Sequence, residues 1–398
     1  MVTAAEQANQ AMVDRLIAEA ALWSCSLIAS FRATPRHRFL DRVLQFQRKR
    51  NRWHEVLTRD PGPEELEIVY SDRALTTHVS PSNDTGPGTP ISSSSQPSLM
   101  AQMLEDLKLT RDLRTLEIGA GTGYNAALLA HVVGPGMVTS IDVDRNVLSE
   151  AWDHLRAFPE RGVELKHADG RAGYTENSPF DRIMVTAATP DLEPAWLEQL
   201  SAGGLLLAPL ALAPGLAYVV CGTVRAGVFH GRLTRAAYFM PLRAEGKVSE
   251  AAETSAVPVA ELRPVRAPWA GWFDRRRPRT GWLGFIQSVA FYGLLRGLEV
   301  HYQTLPNGET TFGISDGACV CWLGANNWYV TDDSGRHLGW ALWRAFLEAG
   351  GPRPTEFLLQ ASPGKELAPG HREGHDRQGL HCRQRWEKMD SPERLGWL

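Results

Sequence analysis

Residues 114 to 124 read Arg-Thr-Leu-Glu-Ile-Gly-Ala-Gly-Thr-Gly-Tyr, a short apolar run closed by an acid and followed by three glycines at alternate positions. A run of this kind fits a buried strand, and the glycines mark a turn at which backbone comes close to another group. A dinucleotide fingerprint needs its third glycine where Tyr124 stands, so a pyrophosphate seated on a helix N-terminus is not what this spacing serves. Gly119, Gly121 and Gly123 alternate instead, with Glu117 just ahead of them.

Two further acids close later apolar runs. Asp142 ends Val138-Thr-Ser-Ile-Asp142, about 20 residues beyond the glycines, where such folds hold ribose hydroxyls. Asp169, in His167-Ala-Asp-Gly170, ends the next run and is placed to accept from an adenine amino group. A carboxylate beside the ligand disfavours a phosphate and suits a group carrying an ammonium and a sulfonium. The expected cofactor is S-adenosylmethionine, leaving as S-adenosylhomocysteine.

Between Leu113 and Leu210, short apolar runs (Thr115–Ile118, Val138–Ile141, Val163–Leu165, Ile183–Thr186, Leu205–Leu207) alternate with helical stretches such as Asn125–His131 and Val147–Phe158. That rhythm predicts a parallel sheet with crossover helices. Leu216–Val224 and Leu233–Met240 flank a turn and should pair as an antiparallel hairpin at the sheet edge. The fold class expected is α/β: a doubly wound, Rossmann-like class I methyltransferase sheet with an edge hairpin, plus a small α+β C-terminal domain. The methyltransferase domain should span 1–242, with a helical lead-in over 1–61 and an irregular, Ser/Thr/Pro/Gly-rich substrate loop over 62–98. Beyond it come a linker at 243–280, an accessory α+β recognition domain at 281–361 and a polar tail at 362–398, partly disordered or ordered by a partner.

The formal net charge of −3 demands neither nucleic acid nor membrane as partner. No apolar stretch reaches the length of a bilayer span and no signal segment opens the chain, so the cytoplasm is the expected location and a monomer the expected state. Cys319 and Cys321 lack a second pair at zinc spacing, and no metal site is expected.

Several segments together resemble the protein-L-isoaspartate O-methyltransferase family over about the first 240 positions. Phe31-Arg-Ala-Thr-Pro-Arg-His-Arg-Phe-Leu40 is similar to that family's Val-Pro-Arg-His opening, and Tyr70-Ser-Asp-Arg-Ala-Leu75 to its Tyr-x-Asp step. Ile91-Ser-Ser-Ser-Ser-Gln-Pro-Ser-Leu-Met100 resembles its Thr-Ile-Ser-Gln-Pro loop; Asp169-Gly170 and Ile183-Met-Val-Thr-Ala-Ala188 match its later runs. By position, the resemblance implies Ser95 as the active-site serine with Ser93 and Ser94 beside it, and Ser94, Ser95, Gln96 and Ala187 as substrate contacts. Cofactor contacts would come from Glu117, Gly119, Ala120, Gly121, Gly123, Asp142, Val143, Asp169, Gly170 and Thr186. Ser94 replaces an apolar family residue, and the segments 40–70 and 76–90 differ in length from the family's, so the substrate groove departs from the usual pattern.

The reaction implied is methyl esterification of an aspartyl or isoaspartyl carboxylate. That nucleophile is already ionised at neutral pH, so orientation matters more than proton transfer and no catalytic His is expected. The extra C-terminal region resembles the layout of relatives that act on ribosomally made, modified peptides such as lanthipeptides and lasso peptides, where the ester leads to aspartimide or isoaspartate. Maturation of such a peptide is the first reading, repair of isoaspartyl proteins the second, and a catalytically silent peptide binder the third. Trp269, Trp272, Phe273 and Trp282 with Arg275–Arg277 form either a recognition surface or a core beside a solvated linker.

Overall fold

The computed structural model describes residues 3–81, 86–244, 262–270, 280–363, 374–379 and 381–389, and the chain divides into two compact units. The first comprises the described residues within Met1–Ala188, Ala195–Ala208 and Phe239–Val248. It opens with two helices, α1 (Ala4–Ala18) and α2 (Cys25–Ala33), then an antiparallel pair, β1 (Arg42–Gln47) and β2 (Arg52–Leu57). Helix α3 (Pro63–Val69), a second antiparallel pair of β3 (Leu75–Val79) and β4 (Pro90–Ser94), and helix α4 (Pro97–Asp106) follow.

The segment 62–98 is therefore not irregular as expected, nor is 1–61 only helical. In the β3–β4 pair, Leu75 and Thr77 on one strand and Ser92 and Ser94 on the other are buried. Small hydroxyl side chains at alternate positions fit a half-buried pleat as well as apolar ones do when their polar atoms find partners.

The alternating region forms β5 (Thr115–Ile118), α5 (Tyr124–Val133), β6 (Val138–Asp142), α6 (Arg145–Leu155), β7 (Glu164–His167), β8 (Phe180–Val185), the short α7 (Pro194–Glu198) and the long strand β9 (Leu200–Ala213). The strands run parallel in the order β9-β8-β5-β6-β7. Register sets Ile118 of β5 level with Ile141 of β6 and Val185 of β8. The residues that follow, Gly119, Asp142 and Thr186, thus stand at one level of the sheet's carboxyl edge, beside the point where strand order reverses, the usual ligand crevice of such sheets. Leu116, Ile118, Ile141, Ile183 and Val185 are at most 1% exposed and form the floor beneath it. Helix α5 is buried almost throughout because α2 packs on its outer side, where Ser30 Oγ donates to the Leu128 carbonyl.

The second unit takes the described residues within Thr189–Pro194, Pro209–Tyr238 and Ser249–Leu398. Its hairpin, β10 (Leu216–Arg225) with β11 (Val228–Ala236), is antiparallel as expected. The domain boundary does not fall at 242, because β11 pairs along its other edge with a C-terminal strand and so groups with later sequence. The remaining elements are β12 (Arg263–Arg266), α8 (Thr280–Leu295), β13 (Glu299–Thr304), β14 (Thr310–Ser315), β15 (Val320–Leu323), β16 (Asn327–Val330), α9 (Asp333–Glu348), β17 (Phe357–Ser362), β18 (Gly374–Gln378) and β19 (Arg383–Lys388). Strands β12 to β16 make one antiparallel sheet; β10, β11, β17, β19 and β18 lie in sequence in another.

The described part of the polar tail thus contributes two strands. Asp191, fully buried, accepts from the backbone nitrogens of His381 and Cys382 at 2.8 Å each and from Gln384 Nε2 at 2.7 Å, tying the turn before β19 in place. Trp269 is core rather than surface: it is 2% exposed and packs against Trp282, Phe285, Trp328 and Trp343 at ring separations of 6.0, 5.4, 5.4 and 5.1 Å. Trp272, Phe273 and Arg275–Arg277 lie outside the described residues, as does most of the expected linker.

Candidate active site

The glycine loop is shaped by its backbone. Gly119, Gly121 and Gly123 have φ of +102°, +53° and +80°, where a side chain is strained. A Cβ on Gly119 would collide with Thr186 Oγ1, which donates to the carbonyls of Ile118 (2.9 Å) and Gly119 (2.8 Å). Thr186 is therefore a strut for the loop. Ala120, buried, and Gly119 both donate their backbone N–H to the Ile141 carbonyl, at 3.0 and 2.8 Å.

Asp142 stands at the end of β6 with Oδ2 accepting from Gly121 N at 3.1 Å and Oδ1 from Asp144 N at 3.0 Å. Burial raises its pKa above the usual carboxylate range, against the pull of those two amides. The next residue, Val143, offers its carbonyl to His167 Nε2 at 3.0 Å. Asp169 caps a short 3₁₀ turn and forms an ion pair with Arg171, which holds its carboxyl below the usual range. Gly170 leaves room for Ile118 and Leu242, and its carbonyl accepts from Trp196 Nε1 at 2.7 Å.

Glu117 departs from expectation. Its side chain is fully buried within the sheet, accepting from Ser140 Oγ and, at 2.6 Å, from Asn125 Nδ2. Burial pushes its pKa up to about 7, outweighing both donors. A carboxylate so enclosed ties the start of α5 to β6 and does not face a ligand with its charge.

The serine loop lies over this cradle, for Ser93 O is 3.5 Å from where a Cβ on Gly121 would stand. Beneath the loop sits Arg36, fully buried. Its guanidinium donates to the carbonyls of Val69, Ser71, Arg73, Ser94 and Ser95 and to Ser94 Oγ, at 2.8 to 3.2 Å. Burial lowers its pKa to about 10, so it keeps its charge at neutral pH. Ser94 thus faces inward and serves Arg36 rather than a substrate.

Asp72 grips the far side of the loop. Its carboxylate accepts from Gln96 Nε2, Ser98 N and Ser98 Oγ, each at 2.8 Å. Burial pushes its pKa up, yet these donors outweigh it and hold the carboxyl below its usual range. Gln96 is consequently a brace of the loop and not a free substrate contact. Ser95, half-buried, has its carbonyl fixed by Arg36. Ala187, also half-buried, follows the Thr186 strut.

Arg36 and Asp72 were missed as site residues, although both lie in quoted motifs, Pro-Arg-His and Tyr-x-Asp. Their signal was a charged residue fixed within a motif; what no pattern reveals is that both close on one loop.

The cradle fits S-adenosylmethionine: a Cβ-free backbone at Gly119 and Gly121, and an Asp142 carboxylate at the edge of the sheet.

A model of the family described as "Protein-L-isoaspartate(D-aspartate) O-methyltransferase (PCMT)" matches residues 65–245. The chain is 33% identical over 216 residues to the protein-L-isoaspartate O-methyltransferase of Pectobacterium atrosepticum, covering 54% of this chain and 86% of that protein. It is 34% identical over 184 residues to the enzyme of the same name from Serratia proteamaculans, covering 46% and 72%. The chain belongs to the protein-L-isoaspartate O-methyltransferase family. Its chemistry is S-adenosylmethionine-dependent carboxyl O-methylation of protein or peptide substrates. A solved structure titled protein-L-isoaspartate O-methyltransferase aligns at a TM-score of 0.52 and 22% identity, covering 88% of this chain and 96% of its own, a likeness of fold. Coverage that broad extends past residue 242, so the C-terminal region has a structural counterpart there. Among the described residues no helix is long and apolar enough to cross a membrane.

Proposed function

We propose that the acceptor is the carboxylate of an isoaspartyl residue in an exposed peptide segment, seated between Ser95 and the glycine cradle, and that the chain is a repair-type enzyme acting in the cytoplasm. The observation that carries this reading is the approach of Ser93 to Gly121, which sets the serine loop against the cofactor cradle. All five cysteines are free thiols, which suits a reducing compartment.

The residues have distinct tasks in such a reaction. S-adenosylmethionine supplies a methyl group on a sulfonium. Asp142 is suited to the ribose hydroxyls, with Gly121 N holding its carboxylate in place. The Asp169–Gly170 turn borders the adenine end, although Asp169 has Arg171 as its first partner. Ser95 Oγ donates to one oxygen of the acceptor and leaves the other to attack. Alignment of this kind supplies several kcal/mol, and a carboxylate of pKa about 4 needs no base. Arg36 and Asp72 keep Ser95 in place without touching the reacting atoms.

Maturation of a modified peptide leaned on the C-terminal region as a mark of a separate task. A structure bearing the isoaspartate name aligns across most of both units, so that region alone does not favour maturation. Labelled S-adenosylmethionine, incubated with an isoaspartyl peptide and in parallel with a constrained cyclic aspartyl peptide, separates the readings. Label on the isoaspartyl peptide is expected. Label confined to the cyclic peptide would overturn repair in favour of maturation, and label on neither would leave a silent binder.

A further inference from the structure

Strands β1 and β2 lie ahead of the residues matched by the family model, in the segment whose length departs from the family's pattern. Their pairing is regular, from Arg42 opposite Leu57 to Gln47 opposite Arg52. The root is pinned to the body of the first unit. Arg42 pairs with Glu150 of α6 at 2.8 Å and meets His78 of β3 at 3.2 Å, and His78 stands opposite Ser92 of β4. One pair below the tip, Phe46 and Trp53 pack at 5.1 Å, and Trp53 Nε1 donates to the Gly88 carbonyl at 3.2 Å, just before β4. The hairpin therefore rises beside the strand that ends in the serine loop.

Its tip is a cluster of cations. Arg48, Lys49, Arg50 and Arg52 fall within five consecutive residues, and all four are exposed. None forms an ion pair among the described residues. Asn51, at φ +48° and ψ +44°, closes the turn that carries them. Four unpaired cations on a chain of net charge −3 make a local field that its overall charge opposes.

The geometry points to the hairpin tip as a docking surface for an acidic stretch of the peptide substrate, on the same side as the serine loop. This rests on the proposed isoaspartyl reaction for its acceptor. A strand of this length rises about 17 Å, and an extended peptide covers that span in about five residues. The tip thus reads acidic residues about five positions from the methylated one. A nucleic acid is the less suitable occupant, because the mildly acidic chain repels a long polyanion while a short acidic block meets only the tip.

The test uses two isoaspartyl peptides, one with three glutamates about five residues from the acceptor and one with glutamines there. Methyl transfer is measured for the wild-type chain, for R48E/K49E/R50E/R52E and for the milder R48Q/K49Q/R50Q/R52Q, with circular dichroism to check folding. Binding of the dye-labelled glutamate peptide, with S-adenosylhomocysteine present, is followed by anisotropy. The expected result is a KM about tenfold lower for the glutamate peptide in the wild-type chain, with kcat alike for both. That preference should vanish in the glutamine variant, reverse in the glutamate variant and fade as salt rises. Equal KM values for the two peptides in the wild-type chain, or equal losses on both in a folded variant, would overturn the surface while leaving the reaction standing. Tip-dependent binding without methyl transfer would keep the surface and sink the reaction. Tighter tip-dependent binding of a single-stranded oligonucleotide than of the glutamate peptide would reassign the surface and overturn the proposal.

Discussion

The glycine loop and the serine loop meet at Gly121 and Ser93, and they are held by different means. The glycine loop is fixed from within: three positive-φ residues, the ends of β5 and β6, and the Thr186 strut lie close along a single sheet edge. The serine loop is fixed from outside, by Arg36 and Asp72, 59 and 24 residues away from their contacts at Ser95 and Gln96. Backbone geometry secures the glycine loop, and charge-assisted hydrogen bonds secure the serine loop. The second arrangement is the more fragile, because a buried cation surrounded by carbonyls leaves every one of them unpaired when it is lost.

That contrast orders the effects of substitution. Arg36→Met should do the most harm, costing about 3–5 kcal/mol of stability, because five backbone carbonyls and Ser94 Oγ lose their donor in a buried site. Urea denaturation reads this directly, and a change below about 1 kcal/mol would show that the loop does not depend on it. Gly119→Ala comes next. Strain at φ +102° and collision with Thr186 should weaken S-adenosylhomocysteine binding at least about tenfold by calorimetry. Unchanged affinity would remove the glycine loop from the cofactor site.

Ser95→Ala should lower kcat about 10- to 100-fold and leave S-adenosylhomocysteine affinity within about twofold. Equal losses in both would move Ser95 into the cofactor pocket and erase the division between the loops. The smallest effect belongs to Glu117. Its folded pKa, about 7, lies above the ordinary carboxyl value, so the stability linked to its proton is complete below about 4.5 and is lost as pH rises through about 7. Glu117→Gln keeps a group able to meet both Ser140 and Asn125, and should flatten the fall in melting temperature across that window. An unaltered pH dependence would mean that the fall comes from other groups.

Much of the cofactor side could be read directly. Each apolar run from Thr115 to Leu207 became a strand of the parallel order, because short apolar runs alternating with helical stretches leave that pattern. Gly119 and Asp142 stand where spacing placed them, at the carboxyl ends of neighbouring strands. Glu117 was misjudged because position along a strand does not reveal which neighbour its side chain meets; Ser140 and Asn125 claim it. In the serine loop, Ser94 and Gln96, expected to contact a substrate, are held instead by Arg36 and Asp72.

The tail shows the same limit, since its polar residues gave no sign of β18 and β19 until Asp191 supplied a buried acceptor for the turn between them. By itself, then, the sequence determined the strand-and-helix rhythm, the glycine turn and the acids at the strand ends, because these depend on periodicity and local backbone freedom. Only the tertiary structure decided which polar groups point inward, how two charged residues close on one serine loop, and which late strand covers β11. Those outcomes depend on hydrogen-bond partners that lie tens to hundreds of residues away and leave no trace in any local pattern.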